Sequence, residues 1–292
     1  MPMPRDVRVI DLQMNVPTSE HNKEGYDLFR PMLRDRESLD SYVMPAQHLF
    51  KAPPTLGTDE SRYIEAMVAE MDKHNIEYGF IGVSDSFKHF DKVKGAYADR
   101  FILSTQINPN KGVEELRRVR RFHAEHGIRG VTCFPAGTFP QVAINAKEMY
   151  PFYAQCCELD LPIFINVGVP GPRLPLATQK VELIDEVCWY FPELKFVMRH
   201  GAEPWVDLAV KLMLKYPNLY YSTSAFAPKH YPRAIIDYAN TRGADKIIYA
   251  GYFPAGLTLD RIFRELADVP FKDEVWPKFL RGNAARLFGL AS

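Results

Sequence analysis

Apolar residues in this chain fall in short continuous runs instead of strict alternation. The runs occupy 7–12, 77–83, 101–107, 128–134, 161–167, 194–199, 218–223 and 246–250. Between them lie stretches with helical spacing of apolar positions: 59–74, 88–97, 113–126, 146–159, 179–190, 203–216 and 230–242, with 257–267 and 273–289 closing the chain. A strand that is apolar on both faces is covered on both faces, as in a parallel sheet. Eight such runs alternating with helices predict an α/β fold, a distorted (β/α)8 TIM barrel. A doubly wound open sheet is the alternative, but no Gly-rich phosphate loop follows the first run. No Pro/Gly/Ser linker divides the chain, so 1–292 reads as one barrel domain. Residues 13–58 form a connection far longer than an ordinary βα loop. In a barrel it belongs at the C-terminal mouth, where it reads as a lid insertion or as a dimer arm. Tyr26, Arg30, Arg34, Arg36, Tyr42 and His48 lie in it.

Composition narrows the class. The 292 residues are 47% hydrophobic, enough for a large core. Lys plus Arg is 36 and Asp plus Glu is 36, so no global charge draws the chain to nucleic acid or to an anionic membrane. No apolar run approaches the roughly 18 residues that span a bilayer. Cys133, Cys156, Cys157 and Cys188 form no CxxC pair and read as buried free thiols in a reducing, cytoplasmic setting.

Candidate chemistry sits where the runs end, because a barrel places its active site at the C-terminal ends of its strands. The run Phe196-Val197-Met198-Arg199 stops at His200-Gly201. Comparable ends are Ile10-Asp11-Leu12-Gln13-Met14-Asn15, Ile163-Phe164-Ile165-Asn166 and Ile248-Tyr249-Ala250-Gly251-Tyr252. His200 suits proton transfer near neutrality. Gln13, Asn15 and Asn166 read as sharing an inward parity with His200, either as a neutral hydrogen-bond network or as an oxyanion site. Tyr252 is a candidate proton or hydrogen-bond donor. Glu203 at the start of the next helix is a candidate partner for His200, with a first-turn structural role as the plainer reading. Arg173 is a candidate anion anchor, with Lys229 and the lid arginines the other cations expected near the mouth. Cys133 as nucleophile is weighed against an inert thiol, Cys156-Cys157 reads as core, and His123 and His126 read as part of a solvated basic helix face.

From Val9-Ile10-Asp11 to Asn283-Ala284-Ala285-Arg286-Leu287-Phe288-Gly289 the chain resembles the amidohydrolase-related family, in the branch of aminocarboxymuconate-semialdehyde decarboxylase, aromatic-acid decarboxylases and lactonases. Phe191-Pro192-Glu193-Leu194-Lys195-Phe196-Val197, leading into His200-Gly201, carries the same likeness. The resemblance implies a divalent metal whose ligands would stand at positions 13, 15, 166 and 252. This chain has Gln13, Asn15, Asn166 and Tyr252 there, poor donors for such an ion. His200 is retained at the family's proton-transfer position. The expectation is therefore a metal-independent enzyme with no cofactor. Its most economical reaction is hydrolysis of a lactone or ester in a small, anionic, cyclic or aromatic carboxylate. The alternatives are a decarboxylase of the same family and an inactive binding or regulatory barrel. A metal held by His200 with His21 or His48 is the remaining option. A homodimer is compatible with the sequence.

Overall fold

A computed structural model describes residues 3–16, 27–40, 46–49 and 56–291. Eight parallel strands follow one another in chain order: β1 Val9–Met14, β2 Ile76–Gly82, β3 Phe101–Gln106, β4 Gly130–Cys133, β5 Ile163–Asn166, β6 Phe196–Arg199, β7 Leu219–Ser222 and β8 Ile247–Ile248. Each predicted run overlaps one of them, with β1 running past its run to Met14 and β2 starting one residue early at Ile76. The sheet closes on itself. Leu12 N donates to Tyr249 O at 3.3 Å, Asn15 N donates to Phe253 O at 3.2 Å, and Met14 bridges Phe253 in parallel. The open-sheet alternative is thereby excluded. None of the described helices is long and apolar enough to cross a membrane.

Two apolar layers hold the barrel. Inside, Ile10, Leu12, Phe80, Ile102, Phe164, Val197, Ile248 and Ala250 fill the strand cylinder. The helix Asn283–Phe288 plugs its N-terminal end with Ala284, Ala285, Leu287 and Phe288. The Phe80 and Phe164 rings lie 4.6 Å apart, and a Cβ at Gly130 would come within 2.9 Å of Phe80. Only glycine lets β4 close over those rings. Buried Asn283 fastens the plug by donating to Ala244 O at 2.7 Å and to Ile247 O at 2.8 Å. Outside, helices such as Tyr63–Lys73 bury one stripe, here Ile64, Met67, Val68 and Met71, at the three- and four-residue spacing of an amphipathic helix.

The seam between β1 and β8 rests on a buried carboxylate. Asp11 Oδ1 accepts from Gly251 N at 2.8 Å and from Gln13 N at 2.9 Å. Oδ2 is buried beside the Tyr249 ring system, and a Cβ at Gly251 would approach it to 2.6 Å. Glycine at 251 is what lets the chain after β8 come close enough to be held.

Burial lifts the Asp11 carboxyl from 3.8 to about 6, against the two main-chain hydrogen bonds. A carboxyl with a raised folded-state pKa binds its proton more tightly folded than unfolded. Its ionisation therefore opposes folding: that cost is absent below 3.8 and grows as the pH rises toward about 6. Roughly two units correspond to about 3 kcal/mol. Asp11→Asn keeps the accepting oxygen and removes the ionisation. The stability of the variant relative to wild type should thus rise by about 3 kcal/mol between acid and mildly alkaline pH. Urea unfolding of both proteins across that range checks this; a difference independent of pH would show that Asp11 ionises without penalty.

Candidate active site

The mouth is built where strand alternation breaks. On β1 the partners run Asp11 opposite Gly79 and then Met14 opposite Ile81, so three steps on β1 match two on β2. This bulge inverts the parity. Ile10 and Leu12 point inward, Met14 joins the outer core, and Gln13 and Asn15 turn to the mouth. Gln13 Nε2 donates to Asn15 Oδ1 at 3.4 Å.

On β6 the inward row is Val197 and then Arg199, not His200. The Arg199 guanidinium donates through Nη2 to Gln13 Oε1 across the mouth. Its Nε is buried without a partner among the described residues. Burial lowers its pKa to about 10, which leaves it charged near neutrality. His200 is placed by another device, against Tyr252 and outside the lining of the cavity that Gln13, Asn15 and Arg199 share. His200, Gly201 and Ala202 have φ of 64°, 106° and 62°. The left-handed turn at His200, strained for a residue with a side chain, swings its ring toward Tyr252, 5.6 Å away and nearly perpendicular. A Cβ at Gly201 would lie 2.4 Å from the Phe226 ring, so the turn needs glycine there.

Ser224 orients the histidine. Its Oγ accepts from His200 N at 3.2 Å and lies 3.0 Å from Nδ1. Ser222 sends its own proton to Met198 O. One hydrogen bond joins the Ser224 hydroxyl to Nδ1 and leaves Nε2 as the ring nitrogen it does not engage. Burial first, and then the Arg199 charge, hold the His200 pKa well below its usual value, so the ring is neutral at physiological pH. Burial raises the Tyr252 phenol and Arg199 acts against that rise. The group as a whole is a set of hydrogen-bond donors around one cation.

Beside it opens a cavity of about 450 Å³, lined at its polar surfaces by Gln13, Asn15, Ser104, Gln106, Thr132 and Arg199, with Leu28 from the lid. Farther out it is lined by Lys111 and by two paired carboxylates, Glu115 with Arg118 at 2.7 Å and Asp85 with Arg121 at 2.6 Å. Asn166 stands directly opposite Arg199 in the β5–β6 register.

The other candidates lie elsewhere. Glu203 is exposed; its main-chain oxygen accepts from Val169 N at 2.9 Å, and Ser224 takes the role of orienting His200. Arg173, the candidate anion anchor, is engaged by the long connection that follows β1, bonded to Asp35 at 2.5 Å and to Glu37 at 2.8 Å. Phe29 and Leu33 of the lid pack nearby on Ala136 and Leu174. Arg30, Arg34, Arg36, His48 and Lys229 are exposed. His21, Tyr26 and Tyr42 lie outside the described residues. Cys133 is buried with its thiol pushed up to about 12, which makes it inert. His126 stacks on Phe90 at 4.1 Å and His123 faces Ile128 O, both structural arrangements. Arg199 and Ser224 escaped the sequence reading. Counting by twos from Val197 would have found Arg199; Ser224 carries no local signal.

A divalent metal does not fit these residues. The side chains at the implied ligand positions offer amide oxygens and a phenol, and Gln13 Oε1 is already taken by a guanidinium. Among the described residues no three His, Cys, Asp or Glu side chains come together to hold an ion.

The amidohydrolase family matches over residues 61–290. No curated protein sequence is matched. Among solved structures, an uncharacterized TIM-barrel protein of Bordetella bronchiseptica is 24% identical, with 97% of this chain and 99% of that one covered and a TM-score of 0.75. The 5-carboxyvanillate decarboxylase of Sphingomonas paucimobilis is 15% identical over 98% and 100%, at 0.68. A dihydroxybenzoic acid decarboxylase of Polaromonas, with bound manganese and the inhibitor 2-nitroresorcinol, is 17% identical over 97% of each chain, at 0.63. At these identities the likeness is one of fold.

The ion pairs of Arg173 predict what its loss does. Arg173→Ala should speed proteolytic cleavage within 27–40 by a few-fold, the modest effect of exposed pairs. It should leave the binding of a small carboxylate such as benzoate unchanged. A ten-fold loss of benzoate with unaltered cleavage would return Arg173 to the ligand.

Proposed function

The chain belongs to the amidohydrolase family, and on that premise we propose that it is a lyase that removes the carboxylate group from a small aromatic or cyclic acid without a metal ion. The observation that carries this reading is His200, pinned through Nδ1 to Ser224 at 3.0 Å and set against the Tyr252 ring beside a buried cation. The decarboxylases of similar fold, which act on or bind aromatic carboxylates, support it.

The donor character of the mouth separates decarboxylation from hydrolysis. Splitting a lactone needs a base to activate water. With Ser224 as the donor to Nδ1, the neutral His200 carries its proton on Nε2 and donates instead of accepting. Decarboxylation needs the reverse: a proton delivered to the carbon that loses its carboxylate, and a place for the electron pair. Tyr252 supplies the proton. The pair of the breaking carbon–carbon bond passes to the ring, whose oxygen substituents take hydrogen bonds from His200 Nε2 and the Gln13 and Asn15 amides. Carbon dioxide leaves, and the Tyr252 phenolate, held beside Arg199, recovers a proton from water. An electron sink made of substrate oxygens and fixed donors needs no metal.

Release of carbon dioxide from a panel containing 2,6-dihydroxybenzoate and 5-carboxyvanillate, with EDTA present throughout, tests the reading. Tyr252→Phe and His200→Asn should each lower turnover by about 10²-fold or more, the usual worth of positioned acid–base help, with the fold retained. Hydrolysis of lactones without carbon dioxide release would move the assignment to the hydrolase. Binding of these acids with neither reaction would make the chain a binding barrel.

A further inference from the structure

Arg199 is unlike the other inward-facing or half-buried arginines near the barrel. Arg118 pairs with Glu115 and Arg281 with Glu77. No carboxylate among the described residues pairs with Arg199. Its hydrogen-bond partner is the neutral oxygen of Gln13, and its Nε is buried without a partner among the described residues. A buried cation left without a counter-ion is costly, and such groups are retained where a ligand completes them. The guanidinium lines the cavity. It stands opposite Asn166 in register, bonds to Gln13, and acts on Tyr252 through its charge. It therefore sits among the residues at all but one of the positions where the family resemblance puts a metal's ligands.

We infer that Arg199 is the resident cation of this mouth, that its guanidinium holds and neutralises a bound oxyanion in place of a divalent ion, and that Gln13 is the positioning residue that aims it. This deepens the proposed function and rests on its reading of the mouth as an anion site. Two consequences separate it from a structural role for Arg199. A divalent cation is repelled from the mouth by a like charge that is already there. And the partner that Arg199 lacks is supplied by the ligand, through Nε and the planar fork of a guanidinium, which matches a carboxylate.

Benzoate, its neutral counterpart benzamide, and Mn2+ serve as probes, with calorimetry for the first two and the free-ion electron paramagnetic resonance signal for the third. The wild-type chain should bind benzoate at least ten-fold more tightly than benzamide and should take up no stoichiometric Mn2+. Arg199→Met should lose ten-fold or more in benzoate affinity and leave benzamide unchanged. Arg199→Lys, which keeps the charge but not the fork, should fall between. Gln13→Ala should weaken benzoate less than Arg199→Met does. Equal affinity for benzoate and benzamide, stoichiometric Mn2+ in the wild-type chain, or benzoate binding indifferent to Arg199→Met would each overturn the inference. The wild-type measurements decide it even if a variant does not fold. Binding is read without turnover. Benzoate held through Arg199 by a protein that releases no carbon dioxide would sink the decarboxylase reading and leave this one standing.

Discussion

Closing eight strands into a barrel leaves one seam, between the first strand and the last, and in this chain a buried carboxylate holds it. Asp11 Oδ1 takes the amide proton of Gly251 from one side and that of Gln13 from the other. The first bond fixes the chain after β8, which carries Tyr252. The second fixes the bulge that turns Gln13 and Asn15 inward. The same oxygen thus ties the closure of the barrel to the placing of three mouth residues. The arrangement carries a price in stability: a carboxyl with no room for water or a counter-ion ionises late, and the barrel is held by a group that folds most easily in its protonated form.

The rest of the mouth depends on two departures from period-two alternation. Regular strands would put Leu12 and a residue at 14 inward on β1, and would send His200 outward once Arg199 faces in. The bulge at β1 and the left-handed turn at His200 undo both outcomes. This explains which parts of the molecule are legible in its sequence. The eight runs and their helices follow from hydrophobic patterning, which is a property of long segments and survives local irregularity. Gln13, Asn15 and Asn166 were reachable because strand ends in a barrel point to its mouth. Arg199 is hidden because alternation counted from His200 turns its neighbour outward, and a left-handed residue at 200 has no signature when it is not glycine. Arg173 was misplaced for a different reason. Its loop does lie at the active face, but the lid brings Asp35 and Glu37 to it, and pairing across 136 or more residues is a tertiary fact.

On the proposed reading, a guanidinium where the family resemblance implies a metal changes what chemistry is easy. A divalent ion both binds an oxyanion and generates hydroxide from its water. An arginine does the first and not the second, because its pKa, even depressed by burial to about 10, leaves it a donor with no proton to accept at neutral pH. The neighbouring groups point the same way: amides, a phenol and an imidazole whose accepting nitrogen is taken by Ser224. A mouth of donors with one fixed charge stabilises negative charge and delivers protons. It is poor at abstracting them.

That asymmetry also bears on why His200 persists where the other family positions have changed. A cationic imidazole beside Arg199 would add a second positive charge to a buried space. The structure avoids this twice. Burial and the Arg199 charge both favour the neutral ring, and the Ser224 hydroxyl engages Nδ1 without adding a charge. The strained backbone at 200–202 is then explicable as the cost of bringing a neutral donor and a cation to one mouth from consecutive residues. A regular strand could offer only one of them. The pairing of Arg199 with His200 therefore exists because the chain leaves regular geometry at the residue where β6 ends.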